Sequence, residues 1–211
     1  MKYLFVCILL GMVMGCQRNA TVSPQKASEI FNAKVIHLKT YGVVIRIPTQ
    51  SKKVAFLKSQ VGKTGLSAKE KQKINDQITS ILSEDQRVLS SILDAYKRNF
   101  KSVHFHYIPD TSYKAWLDDE NIPILDSVGT PVTTGVPSQN YLLISRRADV
   151  NQWICTDVYG NKLPEPFPYR KNIFFPAFKR LFDPDKYLED QILWFNDRLT
   201  DVINNFNFSA Q

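Results

Sequence analysis

Apolar residues recur at helical spacing in a long stretch of the chain, with polar residues between them. The stretch runs from Ile74 to Phe100 and follows Ser67-Ala68-Lys69-Glu70, a capping box in which serine and glutamate side chains satisfy free amides. A second capping box at Ser83 to Gln86 leaves open whether the stretch is one helix or two. In either case the pattern predicts an amphipathic helical region that covers a sheet.

Four further helices are expected. The clearest is C-terminal: Asp183 suits its N-cap, Pro184 its first helical position, and apolar residues from Leu188 to Phe206 follow one side. Shorter helices are predicted over residues 24–32, over residues 52–60 before the loop at Gly62, and around Trp116.

Short apolar runs bounded by glycine, proline or polar residues predict the strands. Residues 34–38 and 42–47 come before the long helical region, and residues 103–108 follow it. Residues 141–145 and 153–158 precede the C-terminal helix. Strands that alternate with helices in this way predict a single three-layer α/β domain over residues 34–211, with a central mixed sheet flanked by helices.

The region 109–184 is less regular, because nine of the eleven prolines lie there. An edge strand is expected over residues 122–125 and a loop over residues 129–137. Residues 164–169 contain three prolines, which lack the amide donor of a strand. This segment therefore predicts an extended cover over the core.

The first residues have the parts of an export signal. Lys2 precedes an apolar run of about a dozen residues, too short to cross a bilayer as a helix, which needs about 20. The run ends in Val13-Met14-Gly15-Cys16, which resembles a bacterial lipobox. The resemblance implies a signal peptide over residues 1–15, a lipid on Cys16 and a spacer over residues 16–33. Gln17 after the cysteine is similar to the pattern for delivery to an outer membrane.

The order of predicted elements resembles a thioredoxin-like layout. Val136-Pro137 lies just before the strand at Tyr141, where that fold places its proline, and Asp157 to Leu163 looks like its strand-turn-strand. The C-x-x-C of that family is absent, since residues 48–53 read Pro-Thr-Gln-Ser-Lys-Lys, so no redox role is implied. Residues 141–169 are also similar to lipoproteins and hypothetical proteins of the Bacteroidota type, a likeness that brings no activity.

Positive charge is concentrated in one segment. Seven lysines stand there against a single acid, Glu70, an excess of six positive charges. The lysines are Lys52, Lys53, Lys58, Lys63, Lys69, Lys71 and Lys73. The cluster indicates an anionic partner, such as lipid headgroups, lipopolysaccharide or an acidic polymer, or else a solvated helix face. Nucleic acid is not expected, because the segment has no arginine and only Phe56 as an aromatic residue.

Residues near the ends of the predicted strands form a candidate pocket: Arg46, His104, His106 and Asp110. The two histidines are two residues apart on a strand and can face one side. A zinc site needs three or four ligands, and His37 is the only other histidine, so no metal site and no cofactor are predicted.

Cys155 is expected to be a buried, inert thiol rather than a nucleophile. It lies in the centre of a predicted strand, and without Cys7 and Cys16 it has no disulfide partner.

Two hypotheses about function follow. The first is a lipid-anchored, non-catalytic binding or assembly module of the cell envelope, on the periplasmic side of an outer membrane, which contacts an anionic surface or an envelope protein. The alternative is an envelope enzyme with its site at the strand ends near Pro48, Pro109 and Pro137. No complete catalytic constellation supports the alternative.

Overall fold

A computed structural model describes residues 24–63, 65–119, 121–147, 152–171 and 183–209. Within these ranges the chain forms five α-helices and six strands. The helices are α1 (Pro24–Tyr41), α2 (Ser51–Val61), α3 (Ala68–Asn99), α4 (Asp110–Asp118) and α5 (Pro184–Ser209). The strands are β1 (Val43–Ile47), β2 (Phe105–Pro109), β3 (Ile124–Leu125), β4 (Pro131–Val132), β5 (Leu142–Arg147) and β6 (Gln152–Asp157).

All six strands belong to one mixed sheet, in the order β4-β3-β2-β1-β5-β6. Strand β1 pairs in parallel with β2 and with β5, whereas β3, β4 and β6 run antiparallel to their neighbours. Helices α1, α3 and α5 bury apolar side chains on one face of the sheet, and α4 covers the other face. The predicted three-layer α/β domain with a mixed central sheet is confirmed.

Strand β1 is apolar on both faces. Val43, Ile45 and Ile47 enter the larger core, beneath α3 and α5, while Val44 enters the smaller core beneath α4. Such a continuous apolar run is expected of a parallel strand that is covered on both sides. Arg46 is the polar exception, and it lies on the α4 face.

The prediction of a strand over residues 34–38 is wrong, because these residues belong to α1. Phe31, Val35 and Leu38 all pack into the larger core, and their spacing of four and three residues is that of one helix face. Ile36, between the two buried residues, is 52% exposed. The part of the predicted spacer from residue 24 to residue 33 lies in the same helix.

Helix α3 is a single unbroken helix, and the second capping box at Ser83 to Gln86 does not divide it. Its capping box is complete, with the Ser67 hydroxyl accepting from the Glu70 amide and the Glu70 carboxylate accepting from the Ser67 amide. At 32 residues it is about 48 Å long. Only its second half, from Val88 onward, packs into the larger core.

The first half of α3 packs on α2 and forms a helical arm with it (residues 51–81). The arm has a small apolar core, separate from the two cores of the sheet. Its members are Val54, Leu57, Val61, Ile74, Ile78 and Ile81. At the base of the arm, the Asp85 carboxylate accepts hydrogen bonds from the Gln50 amide at 2.9 Å and from the Gln50 side chain at 3.3 Å.

The outer edge of β6 is covered by groups that replace a neighbouring strand. The Trp153 amide donates to the Gln191 side chain of α5, the Cys155 amide to the Tyr169 carbonyl, and the Asp157 amide to the Asn161 carbonyl. Residues 164–169 cover the core as predicted, with Phe167 buried in the larger core, but they are not extended throughout, because the Phe167 amide donates to the Pro164 carbonyl in a turn. At the opposite edge, β4 has two residues and begins with a proline. Both edges are thus poor templates for pairing with another strand.

Two details of the predicted sheet differ. Residues 122–125 contribute β3, which is not an edge strand, because residues 131–132 of the predicted loop add β4 outside it. Residues 157–163 form a turn held by the Asp157 carboxylate, and no strand follows in the described residues up to 171. The strand-turn-strand of the thioredoxin-like resemblance is therefore absent at this place.

The predicted N-cap of the C-terminal helix is confirmed. The Asp183 carboxylate accepts from the Lys186 amide at 3.0 Å, and Pro184 is the first helical residue. The apolar side predicted for this helix is buried, with Ile192, Phe195 and Leu199 at most 1% exposed.

Gly42 makes the tight connection between α1 and β1. Its φ is +81°, and a Cβ atom there would lie 2.1 Å from the carbonyl oxygen of His104. That oxygen accepts the hydrogen bond of the Val43 amide at 3.0 Å. The position therefore requires glycine, because only a residue without Cβ allows both the positive φ and the close approach of the backbone of β2.

We expect Gly42→Ala to lower the free energy of unfolding by at least about 3 kcal/mol, because left-handed strain and a backbone clash add together. The matched control is Gly160→Ala, which has a φ of +85° but no atom within 4 Å of the added methyl group. The free energy of unfolding of Gly160→Ala should fall by only about 1–2 kcal/mol. Urea unfolding of both variants measures the difference, and equal losses would contradict the clash.

Candidate functional site

The lysine cluster lies on the helical arm. All seven lysines are exposed: Lys52, Lys53, Lys58, Lys63, Lys69, Lys71 and Lys73. The apolar side chains of α2 and α3 face each other inside the arm, so the charged side chains point outward on both helices. The structure therefore places lysines from two helices and the connecting loop on the outside of one arm.

The single acid of this segment does not neutralise a lysine. The Glu70 carboxylate accepts from the side chain and the amide of Ser67, at 2.7 Å and 2.8 Å. These two hydrogen bonds, with the side-chain bond as the larger effect, lower the pKa of Glu70. Its charge thus stabilises the start of α3, near the free amides of the helix N-terminus.

Arg46 and Asp110 form an ion pair at the carboxyl ends of β1 and β2. Both side chains are about a third exposed, at 39% and 33%. The Arg46 guanidinium also lies 4.4 Å from the ring centre of Tyr113 on α4. Tyr113 is not among the site residues predicted from the sequence, although its position one helical turn after Asp110 indicates that the two side chains lie on the same side of the helix.

Tyr113 is held from both sides. Its hydroxyl donates to the carbonyl oxygen of Val158. Burial raises the pKa of Tyr113 to about 12, against the opposing effect of the Arg46 charge. The three side chains fasten α4 to the sheet, since the Asp110 carboxylate accepts from Arg46 Nε and the Tyr113 ring lies against the guanidinium.

The predicted pocket of four residues is not formed as one cluster. His106 is in register with Val44, whereas Arg46 is in register with Ile108, two residues further along the strands. No hydrogen bond or ion pair links the histidines to the Arg46–Asp110 pair in the described part of the chain. His104 precedes β2, is exposed, and lines an open groove of about 280 Å³ with residues 100–105 and Ser127. The enzymatic alternative therefore lacks the cluster on which it depended.

The three prolines proposed to mark one site lie at two edges of the sheet. Pro48 and Pro109 follow or end the parallel strands β1 and β2 at their carboxyl ends. Pro137 precedes β5, and because β5 is parallel to β1, this proline lies at the amino ends of the strands. One active site cannot include all three turns.

His106 belongs instead to an aromatic cluster around Tyr141. The ring centres of His106, Tyr41 and Trp116 lie 6.0, 5.9 and 5.8 Å from that of Tyr141, and His37 makes an edge contact with Tyr41 at 5.9 Å. The Nδ1 atoms of both histidines are buried without a hydrogen-bond partner. The cluster is built as a packing element, in which a neutral imidazole is favoured over a charged one.

Two further expectations concern the thiol of Cys155 and the side chains that could bind a metal ion. Cys155 is a free, fully buried cysteine, and burial raises its pKa to about 12, so the expected inert thiol is found. Among the described residues, no group of three or more histidine, cysteine, aspartate or glutamate side chains is placed to hold a metal ion.

Cys16 and the predicted signal peptide lie outside the described residues. Among the helices that are described, none has the length and apolar character needed to cross a bilayer. No protein-family model matches the chain, and neither does any curated protein or solved structure at a significant level.

The buried histidines predict a loss of stability in acid. Burial, and then the charge of His104, lower the pKa of His106, while Asp126 opposes them; burial and Lys34 lower the pKa of His37. In the unfolded chain both titrate near pH 6.5, so below about that pH the unfolded state takes up protons that the folded state does not. We expect the urea midpoint to fall between about pH 7.5 and about pH 5.

His106→Gln should reduce this acid-induced fall, because it removes one half-buried titrating group. His104→Gln is the comparison variant and should reduce the fall less, since it removes only the smaller, charge-based cause of the lowered His106 pKa and leaves the burial. A His106→Gln variant whose urea midpoint falls as steeply as that of the unsubstituted chain would show that the histidine cluster does not cause the pH dependence.

Proposed function

We propose that the protein is a non-catalytic module of the bacterial envelope, anchored by a lipid on Cys16, that presents its helical arm to an anionic surface. The lipobox-like Val13-Met14-Gly15-Cys16 supports the anchor. The arm supports the contact, because it carries the densest positive charge of the chain on a part of the molecule that the sheet does not cover.

The segregation of charge on the arm is the observation that carries this proposal. Seven exposed lysines and one capping carboxylate leave an excess of six positive charges between residues 52 and 73. Charges in water are screened over about 8 Å at physiological salt, so lysines on one short arm act together only on a surface that comes this close. A lipid anchor supplies that proximity.

The residue type favours an extended surface over a discrete ligand. Lysine is a flexible point charge, whereas arginine offers the planar fork that binds one phosphate or carboxylate through two hydrogen bonds. The segment from Lys52 to Lys73 contains no arginine. Arg46, at the strand ends, already has Asp110 as its partner. A broad anionic layer, such as a leaflet of acidic lipid headgroups, fits the arm best.

A charge-matched pair of variants tests the contact. We expect replacement of Lys63, Lys69, Lys71 and Lys73 by glutamine to weaken binding to phosphatidylglycerol-containing vesicles at least tenfold, since each lysine near such a surface contributes about 1 kcal/mol. The measurement is vesicle co-sedimentation of the chain from residue 16 onward with Cys16→Ser, which retains every described element.

The matched control replaces four exposed lysines outside the arm by glutamine, namely Lys97, Lys101, Lys114 and Lys186. Its net charge equals that of the arm variant, so any difference in vesicle binding shows the effect of where the lysines lie. Binding should remain within about threefold of the unsubstituted chain and decrease with added salt. Equal losses in both variants would reduce the effect to net charge and contradict a role for the arm.

The anchor has a separate test. We expect Cys16→Ser in the full-length chain to abolish incorporation of labelled fatty acid and to let a high-salt wash release the protein from the membrane fraction, because salt screens the remaining contact of the arm lysines. A single acyl chain gives only marginal membrane binding, whereas two or more chains anchor stably. Continued labelling of the Cys16→Ser chain would show that the lipid is not on this residue.

A further inference from the structure

An exposed phenylalanine lies next to two of the lysines of the arm. Phe56 is 62% exposed, on the face of α2 that points away from α3. One turn before it stand Lys52 and Lys53, one turn after it stand Ser59 and Gln60, and all four are polar. Phe56 is thus an exposed apolar side chain with charged and polar neighbours one turn away on either side.

Packing of the arm does not explain this position. The contact between α2 and α3 is made by Val54, Leu57 and Val61, which occupy the opposite side of α2. Phe56 is not a member of that core, and no ring or cation contact involves it among the described residues. Single exposed apolar side chains are common on protein surfaces, so a role for Phe56 is inferred from the two lysines that stand one turn before it on the same helix.

The combination of lysines and phenylalanine distinguishes between anionic partners. A soluble acidic polymer can neutralise the lysines but offers no apolar layer to the ring. An anionic bilayer offers both, because acidic headgroups attract lysines while the boundary with the acyl chains accepts aromatic side chains. A helix that lies flat on such a surface has this arrangement of basic flanks around an apolar centre.

We propose that the outer face of α2 docks the arm on an anionic phospholipid bilayer, with Phe56 entering the boundary between headgroups and acyl chains and Lys52, Lys53 and Lys63 contacting lipid phosphates. This proposal rests on the function proposed above and specifies its partner. The arm is then a second membrane contact, independent of the lipid on Cys16.

The test compares two exposed apolar residues of the same helical pair. Phe56→Ala removes the proposed contact, whereas Leu82→Ala, on α3, removes a side chain that is 50% exposed and has no lysine one turn away. Each variant carries Cys16→Ser in the chain from residue 16 onward. The probes are mixed phosphatidylglycerol–phosphatidylcholine vesicles and, separately, soluble dextran sulfate.

We expect Phe56→Ala to weaken vesicle binding about tenfold and to leave dextran sulfate binding unchanged, because the ring meets an apolar layer only in the bilayer. Phe56→Trp should restore vesicle binding, and Leu82→Ala should change neither probe. Equal thermal midpoints of all variants would show that the fold is retained.

Two results would overturn the proposal. The first is vesicle binding by Phe56→Ala equal to that of the unsubstituted chain. The second is an equal loss on both probes, which would indicate a polymer-binding surface instead of a bilayer contact. Failure of the lysine variants described above would instead overturn the anionic-surface function itself, so the two proposals can fail separately.

Discussion

Burial of β1 on both faces is the constraint on which the rest of the structure depends. The strand bonds to a parallel neighbour on each edge, and four of its five side chains are apolar and buried. Parallel strands cannot be joined by a tight turn, so long connections must leave its end and return on either side. The connections between the parallel strands supply α2, α3 and α4, whereas α1 precedes β1 and α5 follows β6.

The arm follows from the length of one such connection. Helix α3 is about 48 Å long at 1.5 Å per residue, and only its second half packs on the sheet. The first half would expose its apolar stripe if α2 did not cover it. The pair is held by its own small core and by the bonds of Gln50 to Asp85 at the base. The sheet, whose edge strands are covered or short, thus carries a helical arm that bears the lysine cluster.

The side chains near the strand ends hold the sheet and its covering helix α4 together. Arg46, Asp110 and Tyr113 fasten α4 over the smaller core, and His106 packs in the aromatic cluster around Tyr141. The Arg46 guanidinium is paired and the His106 Nδ1 atom is buried, whereas the lysines of the arm and Phe56 are exposed. Structure and charge therefore point to the same part of the molecule.

Local pattern by itself determined the α3 cap at Ser67, the C-terminal helix after Asp183, the mixed α/β class, and the places of the strands predicted at residues 141–145 and 153–158, because capping, periodicity and proline positions act over a few residues. It misjudged residues 34–38, since a short run with Val35 and Leu38 suits a strand or a helix equally, and only contact with the larger core selects the helix.

Tertiary structure alone decided that Arg46 pairs with Asp110 and not with the histidines, because this depends on strand register. It also decided that Phe56 stays in water while Leu57 is partly buried, since the position of α3 selects which side of α2 is covered.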